Sequence, residues 1–150
     1  MQSISFLCPQ AKILIHKTWA YEIDSTHGEF PLYHNNQEEM QEKITEAYQK
    51  AAEDAACDLI PVGDVIDYLR HRSDAFCREK GGLPLTRDGF HLSLDYGRYA
   101  AALTWYGVLF GEVTKPAFIP SVEGLKTDPR LIEEIRSAVK TVLKQNRLIR

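Results

Sequence analysis

The sequence predicts an α/β domain with a small parallel sheet, on three observations. Residues 12–16 (KILIH) and 58–62 (DLIPV) are short apolar runs punctuated by Pro and Gly, which read as buried strands. A long helical repeat separates them, and further helical repeats follow. Strands that alternate with helices pair in parallel through right-handed crossovers. A parallel sheet is buried on both faces and normally has more than two members. The elements therefore fit the later part of an α/β sandwich.

The elements follow in order. After the first strand the chain changes character at Thr18-Trp19-Ala20-Tyr21, and residues 24–36 form a polar loop with Gly28 and Pro31. Asn36 and Glu39 have the spacing of a capping pair. Met40, Ile44, Tyr48, Ala51, Ala52 and Ala55 then predict a helix over 37–56. Beyond the second strand, Asp64 is the expected cap of a helix whose stripe is Val65, Ile66, Leu69 and Phe76, ending by Gly81-Gly82. Residues 81–91 are a loop. Ser93 is the expected cap of a helix over 94–110, with Gly111 as its stop. Tyr96, Tyr99, Ala100, Leu103, Trp105, Val108 and Leu109 leave that helix little polar face, so burial on more than one side is expected. Its aromatic residues, Tyr106 and Phe110 included, are expected to pack in the core. Residues 111–127 are irregular. Asp128-Pro129 then opens a final amphipathic helix carrying Leu131, Ile132, Ile135, Val139, Val142 and Leu143. Glu133 and Glu134 come early in it and Lys140, Lys144 and Arg147 late, as the helix dipole favours.

Composition narrows the function classes. A chain of 150 residues suits one domain, 1–150. With 44% hydrophobic and 26% charged residues it is globular. A net charge of -3 and a pI near 5.9 give no electrostatic pull on nucleic acid or anionic lipid. The densest basic group, Arg70-His71-Arg72, lies beside Asp67 and Asp74. Cys8, Cys57 and Cys77 suggest neither a disulfide framework nor a zinc ribbon, and are expected to be reduced and mostly buried. No apolar run approaches the roughly 18 residues of a membrane span. No signal peptide is visible at residues 1–9, so a cytoplasmic location is expected.

The stretch with chemical content is Asp88-Gly89-Phe90-His91-Leu92-Ser93. An Asp three residues before a His can place its carboxylate on the imidazole Nδ1–H within one turn. Nε2 is then left to accept a proton from a nucleophile, and the carboxylate stabilises the imidazolium that forms. Gly89 permits the tight backbone path between them.

That stretch, with Gly97-Arg98-Tyr99-Ala100, Trp105-Tyr106 and Phe110-Gly111 behind it, resembles the last motif block of SGNH (GDSL-like) hydrolases, and specifically their DUF4886-type branch. His16-Lys17-Thr18-Trp19-Ala20-Tyr21 resembles the end of a late core strand in that branch, and Ile60-Pro61-Val62-Gly63-Asp64 the following strand and its turn. The similarity covers residues 12–111. It implies a three-layer α/β/α sandwich of flavodoxin-like SGNH type, here without its N-terminal strands. It also implies serine ester hydrolysis through an acyl-enzyme, with Asp88 orienting His91 and His91 acting as general base and then acid. The substrate would be a small-molecule or carbohydrate ester, and no cofactor is implied. The Gly-Asp-Ser-like nucleophile block and the oxyanion glycine and asparagine have no counterpart in this sequence. The isolated chain is therefore expected to be inactive, and to be completed by a missing N-terminal half or to associate as a homodimer. A noncatalytic remnant, or a binding or assembly module, is the alternative.

Thr18, Trp19 and Tyr21 follow the carboxyl end of a predicted strand, where ligands bind in open α/β sheets, and are candidate substrate contacts. His27 and His34, with Asp24 and Glu29 nearby, match no standard zinc spacing, so no metal is expected.

Overall fold

In the computed structural model, residues 6–113 and 127–150 are described. Strands β1 (Leu14–His16) and β2 (Asp58–Ile60) pair in parallel, with Leu14 opposite Asp58, Ile15 opposite Leu59 and His16 opposite Ile60. The crossover is helix α1 (Gln37–Ala55), so the alternation of strand and helix gives the expected α/β arrangement with a small sheet. Pairing continues beyond the strands. Lys17 N–H donates to Ile60 O and Gly63 N–H to Lys17 O, both at 3.0 Å. A Cβ on Gly63 would fall within 1.8 Å of Thr18 O, so only glycine lets these backbones pass.

Asn36 caps α1 by accepting the Glu39 N–H at 3.0 Å. The reciprocal half of a capping box is absent, because the Glu39 carboxylate faces His34 Nδ1 at 2.9 Å. The preceding loop holds a short 3₁₀ turn, Phe30–Tyr33, whose Phe30 is buried under α1 with Ala20, Met40 and Ile44.

Helix α2 (Val62–Arg72) begins before Asp64, with Pro61 at the N-cap position and no side-chain cap. The expected cap is committed elsewhere: Asp64 pairs with Lys17. The helix also stops well short of Gly81-Gly82. Ser73 turns extended, and its carbonyl takes the N–H groups of Phe76 and Cys77 at 3.1 and 3.0 Å. Phe76 thus reaches the core from a turn rather than from the helical stripe.

Helices α3 (Tyr96–Phe110) and α4 (Pro129–Gln145) complete the described elements. Asp95, not Ser93, holds the N-cap position of α3, while Ser93 Oγ accepts from Gly97 N–H at 2.9 Å. Gly111 stops α3 with φ 75°, and Asp128 caps α4 through the Arg130 N–H at 2.8 Å, as the sequence indicates. Residues 114–126 of the expected irregular stretch lie outside the described residues.

The main core joins β2, α2, α3 and α4 through Ile60, Val65, Ile66, Leu69, Ala100, Leu103, Ile135, Val139 and Leu143. Each Val, Ile or Leu side chain among them stabilises the fold by about 1.5–3 kcal/mol on burial. Helix α3 is covered on more than one side, as its apolar pattern indicates, but not all round. Its principal neighbours are α2, α4 and β2, and they leave Leu109 57% and Phe110 66% exposed, with Tyr106 exposed beside them. An all-round apolar pattern records composition, and the neighbours decide which faces are covered. The cysteines also differ from expectation: Cys8 is exposed, and Cys57 and Cys77 are half-buried free thiols. Among the described residues no helix is long and apolar enough to cross a membrane.

Candidate functional site

Residues 85–93 form a small hairpin rather than an irregular loop. Thr86 and Leu92 make an antiparallel bridge, Arg87 N–H donates to His91 O at 2.9 Å, and Ser93 N–H donates to Leu85 O at 2.9 Å. Gly89, at the tip, has φ 88°, a conformation that L side chains rarely adopt. A Cβ there would also meet Ser25 Oγ at 2.9 Å.

The tip brings Asp88 and His91 together. Asp88 Oδ1 accepts the backbone N–H groups of His91 at 2.7 Å and of Phe90 at 3.3 Å. Asp88 Oδ2 lies 2.8 Å from His91 Nδ1. A carboxylate at that distance requires the proton on Nδ1, which leaves the Nε2 lone pair as the accepting site. No hydrogen-bond partner reaches Nε2 among the described residues, and the His91 ring is 57% exposed. Desolvation is the largest single influence on the Asp88 carboxyl and pushes its pKa up. Hydrogen bonds from the His91 ring, from the His91 and Phe90 amides, and the charge on His91 together outweigh it and hold the group at about 2, below its ordinary 3.8. Asp88 is thus ionised wherever it could serve the imidazole. Arg87 Nε stands 3.7 Å from the same oxygen.

The segment leaving the carboxyl end of β1 grips this tip. Trp19 donates its indole N–H to Phe90 O at 2.7 Å, and Glu22 N–H donates to Gly89 O at 2.7 Å. The three candidate substrate contacts accordingly separate. Thr18 contributes a backbone carbonyl that packs on Gly63. The Trp19 N–H is committed to Phe90. Tyr21 joins an aromatic group: its ring is 4.6 Å from His27 and 6.0 Å from Phe90, and Phe90 lies 4.2 Å from the His91 ring. Burial and the neighbouring Glu29 push the Tyr21 phenol up.

Beneath the hairpin lies a buried ion pair that the sequence reading missed. Glu22 is 1% exposed and Arg70 5%. Arg70 Nη2 donates to Glu22 Oε2 at 3.1 Å, its Nε stands 3.0 Å from Oε1, and its Nη1 donates to Ala20 O at 2.9 Å. Thr86 Oγ1 donates to Glu22 Oε2 at 3.0 Å. Nothing in sequence spacing links a loop glutamate to an arginine 48 residues later.

His27 and His34 do not converge. The His27 ring lies tilted against Tyr21 and edge-on to Phe90, whereas His34 pairs with Glu39. Among the described residues no group of three or more His, Cys, Asp or Glu side chains could hold a metal ion.

Comparison with known proteins gives one family. Residues 6–129 match the family described as Domain of unknown function (DUF4886). A crystal structure of a DUF4886 family protein from Bacteroides uniformis is similar at 31% sequence identity with a TM-score of 0.74, covering 89% of this chain and 48% of that one. The chain thus spans about half the length of that solved relative. No curated protein matches it. The matched residues take in β1, α1, β2, α2, the Asp88–His91 hairpin and all of α3, and the chain belongs to the DUF4886 family.

Proposed function

We propose that this chain carries the acid–base pair of an SGNH-type serine ester hydrolase. One observation carries the reading: the 2.8 Å contact between Asp88 Oδ2 and His91 Nδ1, with Nε2 on the open side. In the reaction, Nε2 takes the proton from a serine hydroxyl as its oxygen attacks the ester carbonyl. The imidazolium, stabilised by Asp88, then returns that proton to the departing alcohol, leaving an acyl-serine. Water repeats the cycle and releases the acid. The exposed position of His91 and the half-buried rings of Tyr21, His27 and Phe90 beside it suit a small-molecule or carbohydrate ester.

The nucleophile and the oxyanion donors are not assigned within this chain. Its coverage of 48% of the solved relative is compatible with a nucleophile block on the remainder of such a domain, or on a partner. The test is an active-site-directed fluorophosphonate probe read by intact mass. The chain alone is expected to remain unlabelled. Supplied with the other half of a DUF4886 domain, it is expected to give stoichiometric serine labelling that His91→Ala abolishes. A complete domain that takes no label, or labels equally well in the variant, removes the hydrolase reading.

A second reading, a noncatalytic assembly module, is favoured by the exposed Tyr106, Leu109 and Phe110 at the end of α3. Capture of a defined partner without any labelling would support it.

A further inference from the structure

The Glu22–Arg70 pair is expensive to bury. The hydration lost by two buried charges is offset only by close geometry and further hydrogen bonds, and apolar replacement of such pairs is often neutral or stabilising. The pair is therefore a poor account of stability, and its connections indicate what else it does. Glu22 touches the hairpin twice. Its carboxylate receives the Thr86 hydroxyl at the base of the hairpin, and its backbone N–H holds Gly89 O at the tip. Arg70, fixed on α2, braces the same segment through Ala20 O. The hairpin that carries Asp88 and His91 is thus tied, through the carboxylate and backbone N–H of one residue, Glu22, to helix α2.

We infer that Glu22, Arg70 and Thr86 are positioning residues that set the Asp88–His91 hydrogen bond. Glu22 fixes where the two hairpin strands stand relative to the segment after β1, and this decides whether His91 Nδ1 meets Asp88 Oδ2. Thr86 is the sensitive link. It lies next to Arg87, whose N–H holds His91 O at 2.9 Å, so displacement of Thr86 moves the His91 backbone directly. A hydroxyl replaced by a methyl of equal size would leave the Glu22–Arg70 pair in place and cut only this link.

The inference gives the pair proposed above its alignment, but its test does not depend on catalysis. The His91 tautomer is read from long-range proton–nitrogen correlations of the imidazole at mildly alkaline pH, where a histidine ring is ordinarily neutral. In the 150-residue chain the Nδ1–H form should dominate. Thr86→Val should lose that dominance, with the Nε2–H form rising to a comparable or larger share, and Thr86→Ser should restore it. A variant that merely loosens the fold would lower the melting temperature without moving the tautomer. The double replacement Glu22→Leu with Arg70→Met severs the same link through an apolar core and should give the same loss. If either folded variant keeps the Nδ1–H form, the positioning role is overturned. Failure of the fluorophosphonate experiment would leave this result standing, and the reverse also holds.

Discussion

Trp105 on α3 donates its indole N–H to Nδ1 of His16, the last residue of β1, across 2.9 Å. A nitrogen that accepts carries no proton, so this contact requires a neutral imidazole. Burial lowers the His16 pKa from its ordinary 6.5, in the same sense. The unfolded chain protonates near 6.5 and the folded chain only at lower pH. Between those values the unfolded state holds more protons, so the contribution is full above 6.5 and is lost as pH falls through the window below it. Asp67, pushed up by burial, acts in the opposite sense among the carboxylates. Urea midpoints should therefore fall between about pH 7.5 and about pH 5.5. His16→Asn, whose amide oxygen can accept from Trp105, should flatten that fall. An identical slope in the variant would exclude His16 as its source.

Gly89→Ala tests the hairpin tip. The new Cβ meets both a φ of 88° and Ser25 Oγ at 2.9 Å. The cost should be about 1–3 kcal/mol, measured by thermal or urea unfolding. A substitution within about 0.5 kcal/mol of the parent, the range of ordinary surface changes, would show that the tip relaxes freely.

Asp88→Asn separates stability from chemistry. The asparagine oxygen can still accept the two backbone N–H groups, but its amide no longer offers an acceptor that fixes the proton on Nδ1. The fold should be kept, with the hairpin still closed by the two backbone bonds, as read by thermal unfolding at neutral pH. In a completed domain the rate of probe labelling should fall by about 10²–10⁴. An undiminished rate would remove Asp88 from the proposed machinery.

The α3–α4 contact is close at Gly107, where a Cβ would stand 2.3 Å from Leu143 Cδ1 and 3.0 Å from Val113 Cγ2. Gly107→Ala should destabilise by about 1–3 kcal/mol through overpacking. Combining it with Leu143→Val should recover part of that loss, since the two sites share one space. Strict additivity in a double-mutant cycle would contradict the packing account.

Among the described residues β1 has β2 as its one strand neighbour, and Leu109 and Phe110 stand exposed at the end of α3. Open strand edges and apolar patches promote association. Light scattering should find dimers or larger species at high concentration. Leu109→Glu with Phe110→Lys should shift the distribution toward monomer. A parent chain that stays monomeric throughout would count against a face awaiting cover.

Local signals were the legible part of the fold. Asn36, Gly111 and Asp128 each act on residues a few positions away, so their caps could be read directly from sequence. The Asp88–His91 contact was legible for the same reason, because its two partners stand three residues apart across one glycine turn. Elements governed by distant partners were not. Asp64 left its expected cap because Lys17, 47 positions earlier, competes for its carboxylate. The end of α2 depended on how Phe76 enters the core from a turn. The Glu22–Arg70–Thr86 network joins three segments that no periodicity connects, and the covering of α3 depends on which helices lie beside it.

Lys17 also has a consequence of its own. Its side chain is 3% exposed, and its amine donates to Thr45 Oγ1 at 2.9 Å and Asp64 Oδ1 at 2.5 Å, so one cation pins the exit of β1 to both α1 and α2. Lys12, Lys43, Lys50 and Lys80 all stand well out in solvent. An acylating reagent at low dose would mark those four and spare Lys17 for as long as the junction stays closed. The lag before Lys17 reacts is then an internal clock for the opening of the sheet from its helices, readable by peptide mass without any engineered label.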